Sequence, residues 1–335
     1  MQKEITNYEL RITNLKSKIV NLKSQILLLL AVYCILLTVF TGCASTKKSE
    51  LPKVQIEAVE YNQRGVDAVA AGSYDKALIE FQKSLRLNTS IDNQKGIAVN
   101  LLNLGRLYLL MNRFDDASVV FDRAIKTGSS LNDQIILSEG YASMGRYYYL
   151  TGNNKDAIDV LEKALNIDRK EGYHGIGSRL NIMGMLYMDS NRLEDAEKVF
   201  GEALKLNKDY GMEADTADSF RGLGDVSAKK EDYKKAMELY ENALVIDKKS
   251  GRGAHIAIDL YALGNVSLKE NAAEKALDFF LRAYAVNLSR GDVKMALKNL
   301  DIIIEIYTRS KDKNSVEIYS SEREKVLSKE MDYKK

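Results

Sequence analysis

The 335 residues include one proline, two cysteines, two histidines and no tryptophan. Each shortage excludes something. With Pro52 the only proline, nothing further along interrupts a helix by removing a backbone donor. Cys34 and Cys43 are too few for a disulfide framework. His174 and His255 stand far apart, so the grouped ligands that zinc or a catalytic centre requires are missing, and both read as surface or turn histidines. Gly172, Gly175 and Gly177 cluster, yet no strand pattern precedes them and no lysine-threonine pair follows, so they read as a helix entry rather than a phosphate cradle. There is no Gly-x-Ser-x-Gly elbow either. Catalysis, a metal and a cofactor are therefore not expected.

What the chain does have is a period. Gly65, Gly105, Gly145, Gly184, Gly224 and Gly264 are separated by 40, 40, 39, 40 and 40 residues, a spacing that belongs to helical solenoids. Twelve residues after each glycine stands an alanine: Ala77, Ala117, Ala157, Ala196, Ala236 and Ala276. Sixteen after it comes a large residue (Phe81, Phe121, Leu161, Phe200, Tyr240, Phe280), and nineteen after it a small one (Ser84, Ala124, Ala164, Ala203, Ala243, Ala283). Four before it lies another large residue, from Tyr61 to Leu260. These three-, four- and seven-residue steps give each half repeat one apolar stripe. Polar breaks such as Gly72-Ser73, Asn112-Arg113 and Asn191-Arg192 divide the halves, and acidic residues follow them, where a helix dipole favours negative charge. Each unit is thus helix, turn, helix. One hairpin cannot bury its own stripe, so stacking on the next must supply the core.

The run Asn103-Leu104-Gly105-Arg106-Leu107-Tyr108 with Ala117, Phe121 and Ala124, and the run from Met183-Gly184 through Tyr187, Ala196, Phe200 and Ala203, resemble the tetratricopeptide repeat (TPR). The resemblance covers about residues 55–290. It implies an all-α, right-handed α-α superhelix of six repeats closed by a degenerate C-terminal capping repeat. This sequence departs from the family in its longer period and in lacking the proline that ends the second helix. The added length extends the first helix backwards through Ala98, Ser138, Gly177, Ala217 and Ala257. A seventh unit is expected around Ile304, where the glycine is lost, so residues 291–335 read as a capping repeat and solvated tail.

Ahead of the array, Ile26 to Phe40 are fifteen residues without a charge, preceded by Lys16, Lys18 and Lys23, and followed by Thr41-Gly42-Cys43-Ala44-Ser45. This is the layout of a signal peptide, and it falls short of the roughly 20 residues of a comfortable membrane span. The small residues before Cys43 resemble the lipobox of bacterial lipoproteins, whose cysteine becomes the lipidated first residue. An uncleaved anchor is the other reading. Residues 1–42 are thus expected to be a signal peptide, a start codon assigned upstream of the true one being one account of its long beginning, and residues 43–54 a tether. Residues 1–42 carry five basic and two acidic side chains, leaving 44 basic against 45 acidic in the rest. That balance argues against a nucleic-acid binder.

In the family the first helices line the concave surface, and the resemblance carries this to residues near each glycine: Asn62, Asn103, Arg106, Arg146 and Tyr149 in the first three repeats, then Asn181, Asp189, Asp218, Arg221, Asp225 and Lys229. Arg106 and Arg146 share a column and either clamp an acidic group of a ligand or pair with neighbouring acids. The resemblance implies a lipid-anchored scaffold of the bacterial cell envelope, on the outer membrane facing the periplasm. Its groove takes a peptide or helix of another protein. A peptide or small-ligand sensor is the alternative, and no nucleic acid or metal is expected as a partner.

Overall fold

A computed structural model describes residues 52–333, so the apolar run, Cys43 and nearly all of the tether lie outside the described residues. Within them the chain folds as fourteen helices with no strand. They pair into seven hairpins: α1 (Lys53–Ala70) with α2 (Tyr74–Ser90), α3 (Gln94–Leu110) with α4 (Phe114–Leu131), α5 (Gln134–Leu150) with α6 (Asn154–Glu171), and α7 (Ile176–Asp189) with α8 (Leu193–Asp209). There follow α9 (Glu213–Lys229) with α10 (Tyr233–Lys249), α11 (Gly253–Lys269) with α12 (Ala273–Ser289), and α13 (Val293–Arg309) with α14 (Lys313–Tyr333). The chain is an all-α TPR solenoid whose seventh hairpin closes the C-terminal end. α1 begins at Lys53, directly after Pro52 and within the segment read as a tether. No described helix is long and apolar enough to cross a membrane.

Every turn is made the same way. Each of the thirteen inter-helix turns holds one residue in the left-handed region, a glycine at six and a non-glycine at seven. Asparagine serves at Asn112, Asn132, Asn191 and Asn271, consistent with its tolerance of that conformation. The following residue then donates its N–H five residues back: Ser73 to the Ala68 carbonyl at 2.8 Å, Arg113 to Tyr108 at 2.8 Å and Asn153 to Tyr148 at 2.8 Å. This closes the carbonyls that a helix end leaves open. Asn93, Asp133, Asp232 and Asp292 cap the next helix, each accepting from the backbone N–H three residues on.

The glycine column has a steric reason: the large side chain sixteen residues on lies directly over the glycine. A Cβ built on Gly105 would stand 2.3 Å from the Phe121 ring, and the matching contacts are Gly65 with Phe81 (2.5 Å), Gly184 with Phe200 (2.5 Å) and Gly264 with Phe280 (2.7 Å). The alanines twelve residues after each glycine are wholly buried beside this contact. Interior packing density leaves no slack for an added methyl.

Curvature follows from which helices meet. First helices α3, α5 and α7 each touch the next first helix in line, and second helices do not pack together to that extent. The first helices therefore lie on the inner, shorter arc.

Gly105→Ala should overpack the ring of Phe121 and cost about 1 to 3 kcal/mol. Gly201→Ala, on α8 where an added Cβ meets nothing within 4 Å, should gain up to about 1 kcal/mol of helix propensity. Urea midpoints of the two variants moving in opposite directions would be the expected result.

Candidate functional site

Between successive hairpins runs a buried polar column. Twenty-three residues after the glycine stand Asn88, Gly128, Asp168, Asn207, Asp247 and Asn287; five before the next glycine stand Asn100, Gly140, Arg179, Ser219, Asp259 and, in the last hairpin, Asn299. Nearly all the polar members are buried. Burying such groups is tolerable only when they are hydrogen-bonded. Asn88 donates its amide to Asn100 Oδ1 at 2.8 Å, and Asn207 donates to Ser219 Oγ at 3.1 Å. Arg179 Nε lies 2.8 Å from Asp168 Oδ2. A third member joins from three residues before the preceding glycine. Asn62 Oδ1 accepts from Asn100 Nδ2 at 2.8 Å, Asn181 Oδ1 from Ser219 Oγ at 2.8 Å, and Arg221 Nε donates to Asp259 Oδ1 at 2.7 Å.

The residues expected in the groove accordingly divide. Asn62 joins Asn103, which donates to its Oδ1 at 2.9 Å. Asn181 is buried, and its amide is spent on the Asp215 carbonyl (3.0 Å) and Ser219, which turns it from the groove into the hairpin contact. Arg106 and Arg146 share a column but not a situation. Arg106 pairs with Glu139 on the next first helix, whereas the matching position opposite Arg146 is Ser178, and Arg146 is exposed with no ion pair among the described residues. Tyr149 and Asp225 come together, lining one cavity.

That cavity, of about 680 Å³, opens on the inner face across α5, α7, α9 and α11. Tyr149, Met185, Met188, Asp189, Asp225, Lys229, Ile258, Tyr261 and Lys269 line it from the first helices, with Tyr233 and Tyr240 behind. Tyr240 donates its hydroxyl to Asp225 Oδ1 at 2.6 Å. The Asp225 side chain meets water along the groove but has protein on most other sides. Burial raises its pKa, against the opposing pull of the Tyr240 hydroxyl and of Arg221 and Lys229. Burial likewise raises the Tyr149 hydroxyl, helped by Asp189 and Asp225.

Two arginine-carboxylate clusters link successive hairpins, and the residue spacing alone gave no sign of either. Glu139 faces both Arg106 and Arg179; burial opposes its ionisation, but the two guanidiniums outweigh it and lower its pKa. Arg221 reaches Asp218 (2.7 Å), Asp247 (2.5 Å) and Asp259 (2.7 Å) at once, and Arg252 adds Asp247 (3.0 Å) and Asp218 (3.0 Å). Asp247 and Asp259 are fully buried. His255, with its pKa lowered by burial and by Arg252, adds no positive charge at neutral pH. Three carboxylates thus share two cations. Burial raises Asp259 to about 7; Arg221 opposes the rise and Asp247 adds to it. His174, by contrast, stacks on Tyr210 in a turn, with ring centroids 4.2 Å apart.

These features define a TPR solenoid with a cavity across four of its first helices. Compared with known families, residues 75–250 match the soluble NSF attachment protein (SNAP) family, more than half of the chain, and the chain belongs to that family. No curated protein matches it in sequence. Among solved structures, it is similar to a Rap protein complexed with competence and sporulation factor, at 15% identity and TM-score 0.60, covering 84% of this chain and 78% of that one. It is also similar to pilF of Pseudomonas aeruginosa, at 17% identity and TM-score 0.51, covering 73% and 99%. A third is a signal-transduction ATPase with a tetratricopeptide repeat sensor from Pyrococcus horikoshii, at 17% and 0.60, of which this chain spans 44%. At these identities the likeness is one of fold.

The raised pKa of Asp259 makes stability depend on pH. An unfolded aspartate titrates near about 3.9, so between that value and about 7 the folded chain holds a proton that the unfolded chain lacks. The stabilisation is complete below about pH 4 and is lost as pH rises through about 7. Asp259→Asn imitates the protonated form. Its urea midpoint should fall less than that of the unaltered chain between pH 5 and pH 8, and equal slopes would place the proton elsewhere.

Proposed function

We propose that this protein is an interaction scaffold whose inner groove holds a peptide or helix of another protein, with a lipid on Cys43 keeping it at the bacterial outer membrane. The observation that carries the reading is the inner-face cavity, which runs across four successive first helices and combines exposed apolar side chains, Met185 and Ile258, with carboxylates and tyrosine hydroxyls. A cavity of this kind suits an extended segment, whose backbone and alternate side chains touch one hairpin after another. Binding across several hairpins distributes contact without requiring any one of them to move. The Rap protein of similar fold is known in complex with competence and sporulation factor, which supports a groove that takes a ligand. The membrane part rests on the sequence alone, on the short apolar run and the small residues before Cys43.

A photo-reactive side chain at Met185, irradiated in living cells, should form an adduct with a distinct protein. The same group at Val245, exposed on second helix α10, should not. Equal labelling from both positions, or none from Met185, would count against the groove. Separately, Cys43→Ser should release the protein from the membrane fraction. Retention there would make the apolar run itself the anchor.

A further inference from the structure

We infer that the inner-face cavity accepts a basic side chain, lysine or arginine, of the bound segment, with its cation between Asp189 and Asp225 and its apolar neighbours against Met185, Ile258 and Tyr261. The inference rests on the scaffold reading above and names the chemistry of the segment. It comes from a contrast among the acids of the first helices. Glu139 and Asp218 each meet two arginines. Asp189 and Asp225 line the cavity and have no ion-pair partner among the described residues, and around Asp225 protein replaces much of the water. Of the two lysines that line the cavity, Lys229 directs its ammonium to the Met188 carbonyl at 3.3 Å. Tyr240 holds one oxygen of Asp225 at 2.6 Å and thereby fixes the carboxylate.

A desolvated carboxylate without a cation is unfavourable, and an incoming ammonium or guanidinium relieves it with a charge-assisted hydrogen bond. The tyrosine rings on the walls offer faces that also attract cations. An acidic segment would meet the opposite: two more negative charges in the same space. Apolar flanks follow from Met185 and Ile258, both of which are more than a third exposed.

The probe is a fluorescent nonapeptide of alternating leucine and lysine, compared with its leucine-glutamine and leucine-glutamate counterparts. Anisotropy would be read on the full chain in nonionic detergent at physiological salt. The lysine peptide should bind at least tenfold more tightly than either counterpart. The double variant Asp189→Asn with Asp225→Asn should lose that margin, tenfold or more. Asp159→Asn with Glu238→Gln, which removes the same charge from exposed positions on second helices, should retain it. Equal binding of lysine and glutamine peptides, no binding of the lysine peptide, or undiminished affinity in the Asp189 and Asp225 double variant would overturn the inference. An adduct formed at Met185 alongside any of these results would leave the scaffold reading standing, so the two fail separately.

Discussion

The contact on which the solenoid depends is an aromatic or leucine side chain laid on bare backbone. In each of the first six hairpins the second helix presents one large residue to a glycine of the first, at a distance that even one methyl group would violate. This sets the separation of the two helices, and the buried alanine four residues earlier on the second helix keeps the neighbouring turn equally close. With the hairpin geometry fixed, each apolar stripe faces the next hairpin at a constant angle. Repetition of that angle produces the inner arc on which the first helices meet. The groove is thus a consequence of a packing rule inside each hairpin.

Between hairpins a second rule operates, and it is polar. Apolar contact alone would allow one hairpin to slide on another, since it is not directional. The Asn88–Asn100–Asn62 and Asn207–Ser219–Asn181 sets specify position, because displacement by one turn would strand buried amides. In the fifth and sixth hairpins the same three positions hold Asp247, Asp259 and Arg221. Charge replaces amide there, and the set carries a titratable proton. At the junction of the second and third hairpins Gly128 and Gly140 occupy the two facing positions, where added Cβ atoms would strike Ile136 and Ile125. Close backbone approach takes the place of the polar pair.

How far the sequence could be read follows from these two rules. The glycine, alanine and large-residue columns are chemically uniform, so hairpin number and helix pairing were legible from spacing, while the inner face followed from the family resemblance. The polar column was not, because its members change from asparagine to aspartate, serine, arginine and glycine, and only their places coincide. A register scan at twenty-three residues after and five before each glycine would have found it. The same blindness affected the groove. Asn181 and Arg146 lie on first helices at positions that face inward by count, yet Asn181 is drawn into the hairpin contact by Ser219, and Arg146 stays open because Ser178 stands where Glu139 stands opposite Arg106. Which inward side chain is free depends on its neighbour one hairpin away, about 33 residues on, and spacing within a repeat carries no record of that.

The two rules also separate the parts of the surface that can vary from those that cannot. Residues over the glycines and in the polar column are enclosed by two hairpins, so a change there alters the angle that every later hairpin inherits. Inner-face positions such as Met185, Asp189 and Asp225 touch fewer neighbours and leave that angle intact. A solenoid built this way can alter what it binds without altering its shape. The cost is that the partner is written only in those few side chains. In this chain they carry carboxylates that form no ion pair among the described residues, set among methionine, isoleucine, tyrosine and lysine. The ion pairs at Glu139 and Asp218 show that the fold supplies arginines to inner-face acids where structure requires them. Leaving Asp189 and Asp225 without one is therefore a property of the groove and not of the scaffold beneath it.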